Sequence, residues 1–132
     1  MSQENVEVVR RVFDAWAEGD FRTATGYFDA NVVLVVGPGF IDPDAVLGLD
    51  AVRDYTIQFM RQWDHLTMSA EEVRPVGDTV LVRTRQVGSG KASGADSEMT
   101  YFWLFSLRAG KIIRLESVRD EATALEATGL SE

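Results

Sequence analysis

The side chains of this sequence that are best suited to chemistry are few and widely spaced. His65 is the only histidine of the chain, and an unperturbed imidazole is the side chain that titrates near neutral pH. It follows a predicted helix and precedes a predicted strand, so we expect it at the surface or at the rim of a site rather than in catalysis. Asp42 and Asp44 flank Pro43. Because Asp-Pro is typical of turns, we interpret these two carboxylates as turn residues.

A second group of candidates is polar and lies on strand faces that are otherwise apolar. Thr84, Gln86 and Ser117 occupy such positions, where a buried polar group without a hydrogen bond costs about 1–3 kcal/mol. These side chains either bond to one another and to water, or bind a ligand, and the sequence leaves both open. Tyr101 and Trp103 each carry a polar tip on a large ring, which also requires a partner when it is buried.

Composition excludes several classes of site and partner. The chain has 132 residues, no cysteine and a single histidine, which excludes disulfides, thiolate chemistry and a histidine-rich metal site. We expect no cofactor. The formal net charge is −8 and the basic residues are scattered, which argues against nucleic acid and anionic membranes as partners. No run of about 18 apolar residues and no secretory signal pattern is present, so we expect a cytoplasmic protein.

The element that positions most of these side chains is a predicted hairpin over residues 98–120. We expect a three-residue turn at Arg108-Ala109-Gly110, with Gly110 in the left-handed region. In that register Trp103 lies opposite Leu115. One face then carries Met99, Tyr101, Trp103, Phe105, Leu107, Ile113, Leu115, Ser117 and Arg119, and the other carries Thr100, Phe102, Leu104, Ser106, Ile112, Arg114, Glu116 and Val118. Both faces hold large apolar residues, so we expect both to be covered.

The remaining elements are predicted from periodicity and from turn residues. Helices are expected over residues 2–18, from 21, over 50–63 and over 121–128, strands over 32–36, 66–76 and 79–87, and loops over 37–48 and 88–97. This order indicates a single α+β domain over residues 1–132, in which a curved antiparallel sheet wraps around N-terminal helices as a cone with a central pocket. We expect the pocket to be lined by Trp16, Tyr55, Phe59, Trp63, Gln86, Tyr101, Trp103 and Ser117.

Three segments resemble a known family. They are ENVEVVRRVFDAWAEGDF followed by YFDANVV, the GLDAV start of the third helix, and LRAGKIIRLESVRDEATALEATGL near the C-terminus. In order and spacing they resemble the SnoaL-like family of the nuclear-transport-factor-2-like superfamily, whose fold is the ketosteroid-isomerase-like or cystatin-like cone. The resemblance implies an apolar pocket open at one end. It also implies pairing of two subunits through the outer face of the sheet.

The resemblance further indicates which reactions of the superfamily lack their residues here. The catalytic positions of ketosteroid isomerases fall at Val12, Val36 and Trp103. Those of the limonene-epoxide-hydrolase-like enzymes fall at Leu34, Val36, Thr84, Gln86 and Ser117. The acid-base aspartate of SnoaL-type polyketide cyclases also falls at Ser117, and Glu116 is the nearest carboxylate. We therefore expect neither ketosteroid isomerisation nor epoxide opening, because both need a group with a tuned pKa.

Three functional hypotheses follow from these observations. The first is a homodimeric protein that binds a small hydrophobic molecule in a mostly apolar pocket, without established catalysis. The second is an isomerase, hydrolase or polyketide-cyclase-like enzyme in which Ser117, Gln86, Tyr101 or His65 orients a water or an enol. The third is a non-catalytic protein-interaction module. The role of Arg119, near the edge of the pocket face, stays open.

The dimer expectation rests on the second face of the hairpin. Its row of large apolar residues would be exposed on a single chain, and pairing two copies would remove the row from water. The row comprises Phe102, Leu104, Ile112 and Val118, framed by Arg83, Arg85, Arg114 and Glu116.

Overall fold

The computed structural model describes residues 2–37, 44–92 and 94–128. In chain order the helices and strands are α1 (Ser2–Ala17), α2 (Phe21–Ala24), a 3-10 turn (Thr25–Tyr27), β1 (Phe28–Val36), β2 (Asp44–Leu47), α3 (Leu49–Met60), β3 (Trp63–Val76), β4 (Thr79–Gly90), β5 (Asp96–Arg108), β6 (Lys111–Val118) and α4 (Glu121–Ala127). The predicted α+β class is confirmed. Among the described residues, no helix is both long and apolar enough to cross a membrane.

The strands form one curved, open sheet in the order β2-β1-β6-β5-β4-β3. The pairing of β1 with β6 is parallel, and the other pairings are antiparallel. Helix α1 packs an apolar stripe against the sheet, with Val9, Val12 and Phe13 all buried. We call the sheet face that carries Tyr101, Trp103 and Phe105 the inner face, because it packs in the same core as α1.

The α1–α2 junction follows the sequence signals. Gly19 has a φ of 77°, in the left-handed region that favours glycine at the end of a helix. Asp20 caps α2, because its Oδ1 accepts a hydrogen bond from the Thr23 amide at 3.1 Å. These two residues turn the chain so that Phe21 is buried beside Trp16, with the ring centroids 5.9 Å apart.

The register predicted for the central hairpin was wrong by two residues. Arg108 pairs with Lys111, so the turn has two residues, and both Ala109 (φ 54°) and Gly110 (φ 80°) adopt positive φ. This is the pattern of a type I′ turn, whose twist matches that of the flanking strands. Trp103 therefore lies opposite Ser117 rather than Leu115. Because side chains alternate with a period of two, this shift leaves Trp103 and Ser117 on one face.

The strand pairing is irregular next to the turn, and this irregularity changes the face on which Ile112 lies. The register changes between Ser106 and Leu107, and Leu107 pairs with Ile112. The change is typical of a β-bulge, which places an extra residue on one strand. Ile112 is fully buried in the core of the inner face. The prediction that it belongs to the opposite face was wrong.

The opposite, outer face of the sheet is covered by the chain itself. Phe102, Leu104 and Val118 are 8%, 5% and 0% exposed, and they pack with Leu81 and with Ala124 of α4. The predicted row of exposed apolar residues is therefore absent from these positions. Pairing of two copies stays a prediction, but it no longer has this row as its support.

Two predicted loops and one helix end also differ. Helix α3 ends at Met60, and Trp63 begins β3 opposite Gly90 rather than ending the helix. The predicted loop over 88–97 is shorter, because Gly88 pairs with Ser97. Strand β2 lies within the predicted loop over 37–48 and pairs with β1. Asp42 lies outside the described residues.

Candidate functional site

A cavity of about 470 Å³ lies between the inner face of the sheet and the helices. Its wall is mainly aromatic and aliphatic, and the outermost part is polar. The described residues that line it are Trp16, Phe21, Thr25, Phe28, Leu34, Val36, Val52, Tyr55, Thr56, Phe59, Gln62, Trp63, Met68, Gln86, Ser97, Met99, Tyr101, Trp103, Leu115, Ser117 and Arg119. A space of this size accommodates a small organic molecule.

The structure brings all of the residues predicted for the site to the wall of this one cavity. Trp16 comes from α1, Tyr55 and Phe59 from α3, Trp63 from the start of β3, Gln86 from β4, Tyr101 and Trp103 from β5, and Ser117 from β6. That a ligand occupies the cavity stays a prediction. The predicted pocket lining left out Met68 and Met99, although the predicted register already placed Met99 on the face of Trp103 and a period of two along β3 places Met68 there.

Tryptophan and phenylalanine rings hold the deep end of the cavity in place. The Trp16 ring lies 5.8 Å from the Trp103 ring and 4.9 Å from the Phe13 ring, centroid to centroid. Trp103 in turn lies 6.1 Å from Phe105, which is fully buried. Tilted and edge-on pairs at these separations are favourable. The wall is thus a continuation of the core rather than a flexible surface.

A buried chain of hydrogen bonds crosses the sheet at this wall. The Trp103 indole Nε1 donates to the Tyr101 hydroxyl at 3.2 Å, and that hydroxyl donates to Gln86 Oε1 at 2.9 Å. Met68 Sδ lies 3.3 Å from the same hydroxyl. All of these residues are at most 8% exposed. The polar tips of Tyr101 and Trp103 and the oxygen of Gln86 therefore have partners within the protein.

Burial raises the pKa of the Tyr101 phenol well above its usual 10.0, and the hydrogen bond with Trp103 offsets only part of that rise. At neutral pH the phenol is therefore protonated. It takes part in the wall as a neutral donor and acceptor, and it does not serve as a base.

The remaining inner-face polar residues divide into two kinds. Thr84 is fully buried, and its hydroxyl donates to the Val82 carbonyl at 3.2 Å, so it is satisfied by the backbone away from the cavity. Ser117 lines the cavity and is 3% exposed. Its backbone carbonyl accepts a hydrogen bond from the Gly37 amide at 2.9 Å.

No described residue of the cavity wall is an aspartate or a glutamate. Arg119 is the one charged side chain among them, and its Nη1 lies 3.7 Å from Met99 Sδ. Glu116 does not line the cavity, and it pairs with Arg114 at 3.0 Å. His65 is exposed and pairs with Ser89 in the sheet, away from the cavity wall. The described wall therefore lacks a carboxylate or imidazole for proton transfer.

The positions that the family resemblance assigned to ketosteroid isomerisation are apolar or bonded in the structure. Val12 is fully buried in the core. Val36 lines the cavity with an aliphatic side chain, and the Trp103 indole donates to Tyr101. These three positions hold no group that can move a proton.

Trp63 closes the cavity on the side of β4. Its ring lies over Gly88, where an added Cβ would be only 2.6 Å from Trp63 Cε3. The Trp63 indole Nε1 is buried and has no hydrogen-bond partner among the described residues. Sequence reasoning placed Trp63 on α3, because its spacing of four from Phe59 continues the apolar stripe of that helix.

Comparison with known proteins gives the family and the fold. The family model of the SnoaL-like domain matches residues 9–115. No match was found among the curated proteins. Among solved structures, a putative SnoaL-like polyketide cyclase from Jannaschia sp. CCS1 has 21% identity and a TM-score of 0.77, and the match covers 99% of this chain and 95% of that chain.

Two further solved structures share the fold. A putative isomerase from Bacillus subtilis has 24% identity and a TM-score of 0.76, with 96% of this chain and 94% of that chain covered. The protein TerC, co-crystallised with polyporic acid, has 16% identity and a TM-score of 0.76, with 96% and 99% covered. At these identities the likeness shows a common cone fold. Because the family model spans most of the sequence as well, the chain belongs to the SnoaL-like domain family.

Proposed function

We propose that this protein binds one small, largely apolar molecule in the cavity between the inner sheet face and the helices. The observation that carries the proposal is the cavity itself, about 470 Å³ of space with a wall of aromatic and aliphatic side chains. Apolar surface next to such a space favours an apolar occupant, by about 25 cal/mol per Å² removed from water. Binding of a co-crystallised organic acid by a protein of the same fold is consistent with this use of the cone.

Binding without proton transfer fits the wall better than acid-base catalysis does. Proton transfer requires a group with a pKa near the working pH, held within hydrogen-bond reach of the substrate. The described wall offers a neutral phenol whose pKa is raised, a primary amide and a hydroxyl, from Tyr101, Gln86 and Ser117. Such groups can orient a substrate or stabilise an oxyanion, so an isomerase or cyclase-like reaction of an already reactive molecule is the second candidate. Two solved structures of this fold carry the names of such enzymes.

The tryptophans provide a direct assay for occupancy. All three tryptophans of the chain line the cavity, so a bound molecule changes their emission. We expect Nile red, a neutral apolar dye, to bind saturably at one site per chain and to perturb the tryptophan fluorescence. Native mass spectrometry of the freshly purified protein shows in parallel whether a molecule copurifies.

A pair of neighbouring substitutions on α3 tests the location. Thr56 lines the cavity, whereas Ile57, the next residue, is 41% exposed and lies outside it. We expect Thr56→Phe to fill the cavity and to weaken dye binding at least tenfold, and Ile57→Phe to bind like the wild type. Equal binding by the two variants, or no saturable binding by the wild type, would contradict the proposal.

A further inference from the structure

Helix α3 is packed less firmly than helix α1, although both contribute to the cavity wall. Of the twelve residues of α3, all of which the structure describes, Val52 alone is buried. Tyr55, Thr56 and Phe59 line the cavity and are half-buried. Helix α1, by contrast, buries an apolar stripe over residues 9–16. Because an isolated helix of about twelve residues is marginal in water, α3 depends on packing for its stability.

The inner side of α3 is half-buried because it faces open space. Tyr55, Thr56 and Phe59 lie on one side of the helix, and that side borders the cavity of about 470 Å³ rather than a set of packed side chains. The Phe59 ring packs on the ring of Trp63, with the centroids 6.0 Å apart. An apolar molecule in the cavity would complete the burial of this side of the helix, which favours the packed position of α3.

The firm attachments of α3 lie at its N-terminal end. The Gly48 amide donates to the Val32 carbonyl at 2.8 Å and so ties the start of the helix to β1. Val52, in the first turn, is 1% exposed. Gly48 has φ 93° and ψ 150°, a conformation that is essentially confined to glycine. A residue without a side chain next to a fixed first turn is well suited to act as a hinge.

The C-terminal end of α3 is attached more weakly. The chain passes from the helix through the exposed residues Arg61 and Gln62 directly into β3. The pairing of β3 with β4 is irregular between Trp63 and His65. The Lys91 amide donates to the Gln62 carbonyl at 2.9 Å, and both residues are exposed. Backbone hydrogen bonds between exposed and thinly packed segments open at a low cost in free energy.

From this asymmetry we infer that residues 53–62 form a lid, which swings about Gly48 and which an apolar occupant of the cavity holds closed. Gln62 on the lid and Ser97 on β5 are exposed and line the cavity, so they mark its mouth. Movement of the lid widens the mouth on the side of α3, and closure buries the aromatic side chains of α3 against the bound molecule. The lid rests on the proposed function and adds to it the step that controls release of the ligand.

Hydrogen–deuterium exchange followed by mass spectrometry measures the opening of each helix. In the ligand-free protein we expect the amides of residues 54–60 to exchange at least about tenfold faster than those of residues 9–16. Nile red at about twenty times its Kd should slow exchange in α3 about twentyfold, because an opening that excludes the dye is suppressed by the factor 1 + [L]/Kd. Helix α4 is the control. It packs on the outer face, so its local openings leave the dye bound and its exchange should not change.

The possible results separate the lid from the proposed function. Exchange in ligand-free α3 that is as slow as exchange in α1 overturns the lid, whether or not the dye binds. Fast exchange that the bound dye leaves unchanged also overturns the lid, and the proposed function stands. Absence of saturable dye binding overturns both.

A substitution at the hinge tests the mechanism of opening. Alanine is strained at the φ of 93° that the closed position requires, so Gly48→Ala should speed both exchange in α3 and dissociation of Nile red about fivefold or more. Gly110→Ala is the matched control. Gly110 has a φ of 80°, and at both glycines a Cβ would meet no described atom within 4 Å, but Gly110 lies in the exposed turn between β5 and β6.

We expect Gly110→Ala to dissociate from the dye at the wild-type rate, as measured by stopped-flow fluorescence. Equal dissociation rates for the two variants overturn Gly48 as the hinge. Far-ultraviolet circular dichroism confirms that each variant is folded. If Gly48→Ala does not fold, the exchange of the wild-type protein with and without dye still decides whether α3 is a lid.

Discussion

Gly88→Ala is the substitution whose effect follows most directly from the geometry of the site. A Cβ at this position would lie 2.6 Å from Trp63 Cε3, 2.9 Å from Trp63 Cζ3 and 2.8 Å from the His65 carbonyl oxygen. Carbon atoms in contact normally lie about 3.5–4.0 Å apart. The Trp63 ring must therefore move by about 1 Å from its position on the cavity wall, or the two strands must separate.

Overpacking of this kind lowers the free energy of unfolding by about 1–3 kcal/mol. Guanidinium unfolding followed by far-ultraviolet circular dichroism measures it. Gly26→Ala is the matched control, because a Cβ there meets no atom within 4 Å and Gly26 has no positive φ. We expect the control to stay within about 0.5 kcal/mol of the wild type.

A double-mutant cycle identifies the atom that clashes. Trp63→Leu removes the ring, so the penalty of Gly88→Ala should become smaller in that background by at least about 0.5 kcal/mol. A part of the penalty should remain, because the His65 carbonyl stays within 2.8 Å of the added Cβ. Equal stability of Gly88→Ala and Gly26→Ala would refute the packing of Trp63 on this strand. An unchanged penalty in the Trp63→Leu background would assign the clash to the backbone alone.

Four further predictions concern the buried chain, the outer face, the chemistry and the assembly. Tyr101→Phe leaves the Trp103 N–H and the Gln86 oxygen without their partner, and it should destabilise the protein by about 1–3 kcal/mol in urea unfolding at pH 7. Because burial raises the Tyr101 pKa, the contribution of the buried neutral phenol to stability is present below pH 10 and is lost as the pH rises further. Above pH 10 the free energy of unfolding should therefore fall less in Tyr101→Phe than in the wild type. Asp120→Ala removes the cap of α4, whose Oδ1 accepts from the Thr123 amide at 2.8 Å, and should lower the melting temperature at pH 7. That hydrogen bond also lowers the Asp120 pKa, so the difference in melting temperature between Asp120→Ala and the wild type should vanish as the pH falls well below 3.8. A difference that persists at that pH would contradict the role of Asp120 as a cap. Steroid isomerase and epoxide hydrolase assays should show no turnover above an empty-vector preparation. Analytical ultracentrifugation of the wild-type protein at tens of micromolar should show a dimer, and a monomeric protein would contradict the predicted pairing of two copies.

The residues of the inner face were predictable because an error of two residues in strand register does not change the face on which a side chain lies. A shift of two residues changed the partner of Trp103 but not its face, so Trp103, Tyr101 and Ser117 still line one cavity. The turn type was not predictable from Gly110 alone, since Ala109 also adopts a positive φ. A non-glycine residue in that region is uncommon, and only the pairing of the whole hairpin favours it.

The features that were missed depend on contacts between distant segments. Glycines at 88 and 90 are typical of a loop. Gly88 nevertheless pairs within β4, and a glycine suits this strand position because the Trp63 ring occupies the space of a side chain. Ile112 changes face through a bulge that local propensity does not indicate. The covering of Phe102 and Leu104 by α4 likewise appears only when the last helix is placed in three dimensions.

The buried hydrogen-bond chain of Trp103, Tyr101 and Gln86 connects the core to the cavity wall. Burial of Trp103 and Tyr101 requires acceptors, and the sheet supplies one in the Gln86 oxygen, two positions from Thr84 along β4. The Gln86 oxygen is thereby used within the protein, although Gln86 lines the cavity. The stability of the fold and the polarity of the cavity wall are therefore coupled through the Tyr101 hydroxyl. Tyr101→Phe should release the Gln86 oxygen to the cavity, and we expect it to weaken the binding of Nile red as well as to destabilise the fold.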